Sequence, residues 1–147
     1  MNDRFMNEAI IEARRGLADG GIPVGAVLVY HDEIIGRGHN RRVQRSNPIL
    51  HATIAAVENA GCQPAGVYHA STLYTTVSPC MMCSGTIMLY GIGGVVIGEN
   101  RSFQGEEELL RQRGVKVTVL QDRDCIRMMD EFINNNPHLW LENIGRK

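Results

Sequence analysis

The sequence predicts an α/β fold of three layers, α/β/α, built around a central mixed sheet of about five strands. Three observations predict it. Helical and strand-like patterns alternate along the chain. An early pair of strands is joined by a tight turn and forms a hairpin, whereas the later strands are separated by helical segments, which makes the sheet mixed. The chain has 147 residues and no repeat, low-complexity tract or linker, so it reads as one domain, 1–147, with a single core.

Each element has a local reason. From Asp3 to Ala18 apolar side chains recur at helical intervals (Phe5, Ala9, Ile10, Ala13, Leu17), and Gly20-Gly21 is the stop. Val24 to Tyr30 is a strand rich in Val, Ala and Leu; His31-Asp32-Glu33 turns, and Ile34 to His39 returns as its partner. The polar stretch from Arg41 to Pro48 is a loop, and Ile49 to Ala60 a helix. Gly61 to Ala70 connects to a β-branched strand, Ser71 to Thr76. Ser78-Pro79 opens a helix that runs to Tyr90 before Gly91, with proline early and glycine late. Val95 to Gly98 is a short buried strand, Glu106 to Arg113 a helix stopped by Gly114, and Lys116 to Leu120 the last strand. Asp122 or Asp124 caps a helix to Asn134, and a short segment from Pro137 to Ile144 carries the single tryptophan, Trp140.

Composition narrows the class of function. Apolar residues make up 44% and charged residues 21%, which is ordinary for a globular chain. Fifteen Lys and Arg against sixteen Asp and Glu leave a net charge of −1, unlike the basic chains that grip phosphate backbones. No apolar run approaches the roughly 18 residues of a membrane span. The stretch from Met1 to Glu8 is polar and of mixed charge, unlike a signal peptide. A cytoplasmic protein is the expectation.

The four cysteines are Cys62, Cys80, Cys83 and Cys125. A C-x-x-C pair in a chain of this kind points to metal or redox chemistry more than to a disulfide scaffold. His51, Cys80 and Cys83 each fall at the start of a predicted helix, where unpaired N–H groups and the helix dipole favour thiolate. Together they offer three ligands of the N and S type that zinc prefers. No fourth protein ligand is evident, so an open, catalytic position is expected over a closed structural cage. Cys62 and Cys125 read as plain thiols, and His39 and His69 as ordinary residues of strand and loop. The glutamates Glu106, Glu107 and Glu108 read as a surface complement to a helix dipole.

The segments His51-Ala52-Thr53 and Pro79-Cys80-Met81-Met82-Cys83 follow the zinc-deaminase signature H-x-E … P-C-x-x-C. With Gly36-Arg37-Gly38-His39-Asn40, Leu73-Tyr74-Thr75-Thr76-Val77-Ser78, Gly98-Glu99-Asn100 and Trp140-Leu141-Glu142-Asn143-Ile144-Gly145, the chain resembles the cytidine deaminase superfamily over nearly its whole length, most of all the fungal-type cytosine deaminases. The resemblance implies one Zn²⁺ per chain on His51, Cys80 and Cys83. It also implies hydrolytic removal of an exocyclic amine from a free pyrimidine-type base or related amino-heterocycle, zinc hydroxide attacking the ring carbon that bears the amine. Asn40 would bond the polar edge of the ring, and the backbone around Ala52 and Ser78 would add bonds. Phe103, Trp140 and Ile144 would wall the pocket. Pyrimidine salvage as a homodimer follows from the same likeness; the apolar run Ile87-Met88-Leu89-Tyr90 exceeds what one buried stripe needs.

Two positions depart from the family pattern. Thr53 stands where the family has the glutamate that shuttles protons, and an alcohol does not ionise near neutral pH. Asn143 stands where the related cytosine deaminases have an aspartate near the substrate amine. Three explanations compete for Thr53: a substitution made to trap ligand, a natural residue with the proton relayed elsewhere, or a zinc-binding relative that does not catalyse. Glu58 and Glu99 are poor substitutes, because the family carries acids there beside its catalytic glutamate. Nucleic-acid adenosine deamination is the rival activity, with Arg41-Arg42-Val43-Gln44-Arg45 as the only basic cluster.

Overall fold

The computed structural model describes residues 3–147; Met1 and Asn2 of the polar N-terminal stretch lie outside the described residues. The elements run α1 (Arg4–Ala18), β1 (Gly25–Tyr30), β2 (Glu33–His39), α2 (Arg42–Arg45), α3 (Ala52–Ala60), α4 (Ala65–His69), β3 (Ser71–Val77), α5 (Met81–Leu89), β4 (Gly94–Glu99), α6 (Glu107–Gln112), β5 (Lys116–Val119), α7 (Arg123–Asn135) and α8 (Pro137–Asn143). Five strands form one mixed sheet in the order β2-β1-β3-β4-β5. β1 is antiparallel to both neighbours, and β3, β4 and β5 are parallel. The expected three-layer α/β/α architecture is present. Among the described residues no helix is long and apolar enough to cross a membrane.

Strand alternation sorts the core onto the two faces. Ala26, Leu28, Leu73, Val95 and Ile97 pack with Ala52 and Ala56 of α3, Ile87 of α5 and Leu110 of α6. On the other face Tyr74 and Val96 meet Met6, Ala9 and Ile10 of α1 and Cys125 of α7. α3 lies close on β2 because Gly36 and Gly38 present no side chain to it. A methyl at Gly36 would collide with the Ala56 carbonyl oxygen, and one at Gly38 would sit 2.7 Å from the Ala55 methyl. The hairpin turn is two residues: Tyr30 pairs with Glu33, and His31 and Asp32 both have positive φ, as tight hairpins with matching twist require.

Several boundaries differ from the sequence reading. The stretch from Arg41 to Pro48 contains one helical turn, α2, and Gly61 to Ala70 contains α4. The third helix starts at Ala52 and not at Ile49. Leu50 gives its carbonyl to Arg41 N (2.9 Å), and His51 is extended (φ −70°, ψ 163°), so the helix cannot begin until His51 O accepts from Ala55 N. Likewise Cys80 is extended and α5 starts at Met81. Asp122, not Asp124, caps α7, accepting from Asp124 N and Cys125 N.

One buried ionic cluster ties α1 to β2. Glu12 is only 3% exposed. Its carboxylate accepts from His39 Nδ1 (3.0 Å), Arg15 Nη1 (2.7 Å) and Arg37 Nη1 (3.2 Å). Burial pushes the Glu12 pKa up, but the hydrogen bond from His39, then that from Arg15 and the charge of Arg37 prevail, and the pKa is lowered. A carboxylate with a depressed pKa stabilises the fold above its unfolded pKa and loses that contribution as pH falls through the folded value. Glu12→Ala is expected to cost about 2 kcal/mol at neutral pH by urea unfolding. The acid side of the wild-type stability curve, below about pH 4.3, is expected to flatten in Glu12→Gln. A parallel acid limb in the two proteins would contradict this.

Candidate active site and metal centre

Two helix starts converge at the carboxyl end of β3. His51 is the residue immediately before α3, and Cys80 the one before α5; Cys83 lies in the first turn of α5. His51 Nδ1 is 3.4 Å from Cys80 Sγ and 3.8 Å from Cys83 Sγ, and all three ligand atoms lie within 4.8 Å of one another. Tetrahedral zinc with N at about 2.0 Å and S at about 2.3 Å places N and S about 3.5 Å apart, so the two N–S distances suit the ion. The Cys80 thiol is pushed down to about 4, first by the hydrogen bond from Cys83 and then by His51, whereas the Cys83 thiol is held well above its usual value. One thiolate is therefore ready at neutral pH, and the second sulfur shares its proton with the first. No disulfide links them. Cys62 is exposed. Cys125 is packed in the core, its pKa raised by burial.

A pocket opens over these ligands. The pocket wall holds each of the residues expected as metal ligand, proton-carrier position or base contact: Asn40, His51, Ala52, Thr53, Ser78, Cys80, Cys83, Phe103, Trp140, Asn143 and Ile144. Val24, Thr75, Val77 and Pro79 complete the lining. Trp140 and Phe103 meet edge to face (centroids 6.4 Å apart, 80°), and Trp140 and Ile144 join Ile22, Val77, Met129 and Phe132 in an apolar cluster. Thr53 is 2% exposed, in the first turn of α3. Opposite it Asn40 Nδ2 donates to Asn143 Oδ1 (3.0 Å), joining the end of β2 to α8. Arg42 and Glu142 pair at 3.9 Å on the same two segments. Among the lining residues there is no Asp or Glu.

Ser78 is placed by a group that the sequence reading assigned to the surface. Glu107 is 2% exposed, and Ser78 Oγ donates to its Oε2 (2.6 Å) while Asn100 Nδ2 donates to Oε1 (3.1 Å). Ser78 Oγ also accepts from Gly105 N (2.9 Å), and Ser78 N donates to Glu99 O (3.1 Å). A methyl at Gly105 would collide with the Pro79 carbonyl oxygen. The loop after β4 is thus locked against the Ser78-Pro79-Cys80 turn, and Ser78 retains only its carbonyl for a ligand. Three glutamates in a row at a helix start gave no sign that the middle one points inward. The loop 99–105 folds back over β3, and that fold-back alone decides it. Glu58 is exposed and Glu99 is spent on Arg101 N, Ser102 N and Ser102 Oγ, so neither reaches the cavity.

The comparisons with known proteins agree with this geometry. The cytidine and deoxycytidylate deaminase zinc-binding region matches residues 1–99. A cytosine deaminase of Candida albicans is 46% identical over 138 residues, covering 93% of this chain and 92% of that one. A tRNA-specific adenosine deaminase of Streptococcus pyogenes is 37% identical over 139 residues, 87% of each chain. Among solved structures, a tRNA:A34 deaminase superposes with TM-score 0.73 at 26% identity, covering 85% of this chain and 98% of that one. The guanine deaminase from Nitrosomonas europaea shares the fold, with TM-score 0.70 at 24% identity over 87% of this chain and 82% of that one. With the likeness running through both ligand-bearing helices and the spacing of the three ligands suited to zinc, the chain belongs to the cytidine and deoxycytidylate deaminase zinc-binding family.

Proposed function

We propose that this chain binds a free pyrimidine-type base over one zinc ion and removes its exocyclic amine by hydrolysis, at a rate held low by Thr53. The observation that carries the reading is the His51, Cys80 and Cys83 cluster at the floor of a small pocket with aromatic walls and two convergent amides. Zinc, when bound, supplies a Lewis acid that makes hydroxide available near neutral pH. The chain's own residues do the rest. Trp140, Phe103 and Ile144 stack on the ring and exclude water. Asn40 and Asn143 orient its polar edge, and the Ser78 carbonyl accepts from a ring N–H. Thr53 occupies the place of the proton carrier and can hydrogen-bond but not shuttle. The test is ammonia release by the zinc-loaded chain from cytosine, isocytosine, guanine, creatinine and amino-triazines. Slow release from cytosine is the expected result. No release from any of them, by this chain or by Thr53→Glu, with zinc bound in both, removes the enzyme reading and leaves a zinc- and ligand-binding relative. A free-base substrate puts the work in pyrimidine salvage, in the cytoplasm.

A homodimer is part of the same proposal. Met81, Leu89 and Tyr90, on α5 and at its end, are 59%, 75% and 43% exposed, an apolar surface on the helix that carries Cys83. Leu89→Glu is expected to turn a dimer into a monomer by sedimentation; two monomeric proteins would discard the assembly. A polynucleotide substrate is not favoured, since the chain is slightly acidic and Arg42 is paired with Glu142. Labelled tRNA is expected to show no shift at low salt, and a salt-dependent shift would favour nucleic-acid editing instead.

A further inference from the structure

The polar wall of the pocket is a relay whose direction is imposed by the backbone. Arg42 N–H, which can only donate, bonds Asn40 Oδ1 at 3.0 Å. The other amide atom of Asn40 is therefore Nδ2, a donor, and it meets Asn143 at 3.0 Å; the atom receiving it is Oδ1. Neither amide can be turned over. Reversing Asn40 would set its NH₂ against the Arg42 N–H, and reversing Asn143 would set two NH₂ groups face to face. The free end of the relay is then the NH₂ of Asn143, which can donate and cannot accept. It donates to no other group among the described residues, and Asn143 lines the pocket.

The surroundings do not change that sign. No lining residue carries a carboxylate, and the Ser78 hydroxyl is spent on Glu107. Thr75 Oγ1 is spent on Val77 O. We propose that Asn143 makes this pocket selective for heterocycles that turn a ring carbonyl, and not an exocyclic amine, toward it. This deepens the base-pocket reading and rests on it. A carbonyl there accepts from Nδ2 and completes the chain of bonds. An amine there sets donor against donor beside Trp140 and Ile144, and N–H groups left unpaired by the bound ring lower affinity by about 10- to 100-fold. Cytosine meets this demand only with its ring carbonyl toward Asn143, whereas its hydrolysis product meets it with either of two carbonyls.

The experiment is calorimetric titration of the zinc-loaded full chain with uracil, which carries two carbonyls, and with 2,4-diaminopyrimidine, which carries two amines, at a pH where both are neutral. Neither ring carries an exocyclic group of the opposite kind. Uracil is expected to bind tighter by about tenfold or more. Asn143→Asp keeps the size and still accepts from Asn40, and it is expected to shift the ratio toward the diamine by a similar factor with an unchanged melting temperature. Equal or tighter binding of the diamine by the wild type, or a ratio that Asn143→Asp leaves alone, overturns the selectivity while the base pocket stands. Failure of both proteins to bind either ring, with one zinc in each, overturns the base pocket itself.

Discussion

Thr53→Glu is expected to raise ammonia release from cytosine by about 10²–10⁴-fold, the usual worth of a positioned acid–base group. Thr53 lies in the first turn of α3, two residues after His51, so a longer side chain there is held beside the metal ligands and inside the cavity. Its hydroxyl cannot take a proton and return it at neutral pH, whereas a carboxylate can. The gain should be in kcat, with the zinc content unchanged, because residue 53 is not one of the three ligands. Position 53 is buried, so the new carboxylate is also expected to titrate above the usual range of exposed glutamates. A Thr53→Glu protein that binds zinc and is no faster than the wild type would show that the missing carboxylate is not what limits this chain.

Cys83→Ala is expected to abolish stoichiometric zinc and, with it, the thermal response to chelation. Cys83 is buried and is one of two sulfurs that, with His51, would join the starts of α3 and α5 through one ion. An ion bound only by the native chain stabilises it by about 4 kcal/mol when free zinc stands roughly a thousandfold above its Kd. Chelator should therefore lower the melting temperature of the wild type by several degrees and leave Cys83→Ala unmoved. Binding must also drive off the proton that the two sulfurs share, because their contact pushes the Cys80 thiol down and holds the Cys83 thiol up. Zinc uptake should thus release protons and strengthen as pH rises toward the thiol range. Full zinc occupancy in Cys83→Ala would mean that this sulfur is not a ligand.

The legible parts of the site share a feature: each is written in a short window. Pro79-Cys80-Met81-Met82-Cys83 announces a helix start and two sulfurs one turn apart, and His51, at another predicted helix start 29 residues before Cys80, completes the set. Asn143 and Trp140 were recognisable only because the terminal segment resembles a family. Glu107 shows what was not legible. Flanked by Glu106 and Glu108, it has the pattern of a solvated helix start, yet it is buried because Ser78 and Asn100 reach it from just past the ends of β3 and β4. The late start of α3 is similar. The apolar pattern from Ile49 onward is helical, but Arg41 N takes the Leu50 carbonyl and holds the chain extended as far as His51. That one backbone bond leaves the imidazole at the helix entrance, facing the sulfurs.

By itself the sequence determined the layers, the alternation of strand and helix, the hairpin and the residue types able to hold zinc. Those follow from periodicity, caps and spacing, which act over a few residues. Only the tertiary structure decided which way the Asn143 amide points and which glutamate is buried. It also decided that residues 103 positions apart, Asn40 and Asn143, share a hydrogen bond. The reason is that hydrogen-bond direction and burial depend on the partners across a gap, and the sheet order with its closing helix α8 sets those partners, not the neighbours in the chain.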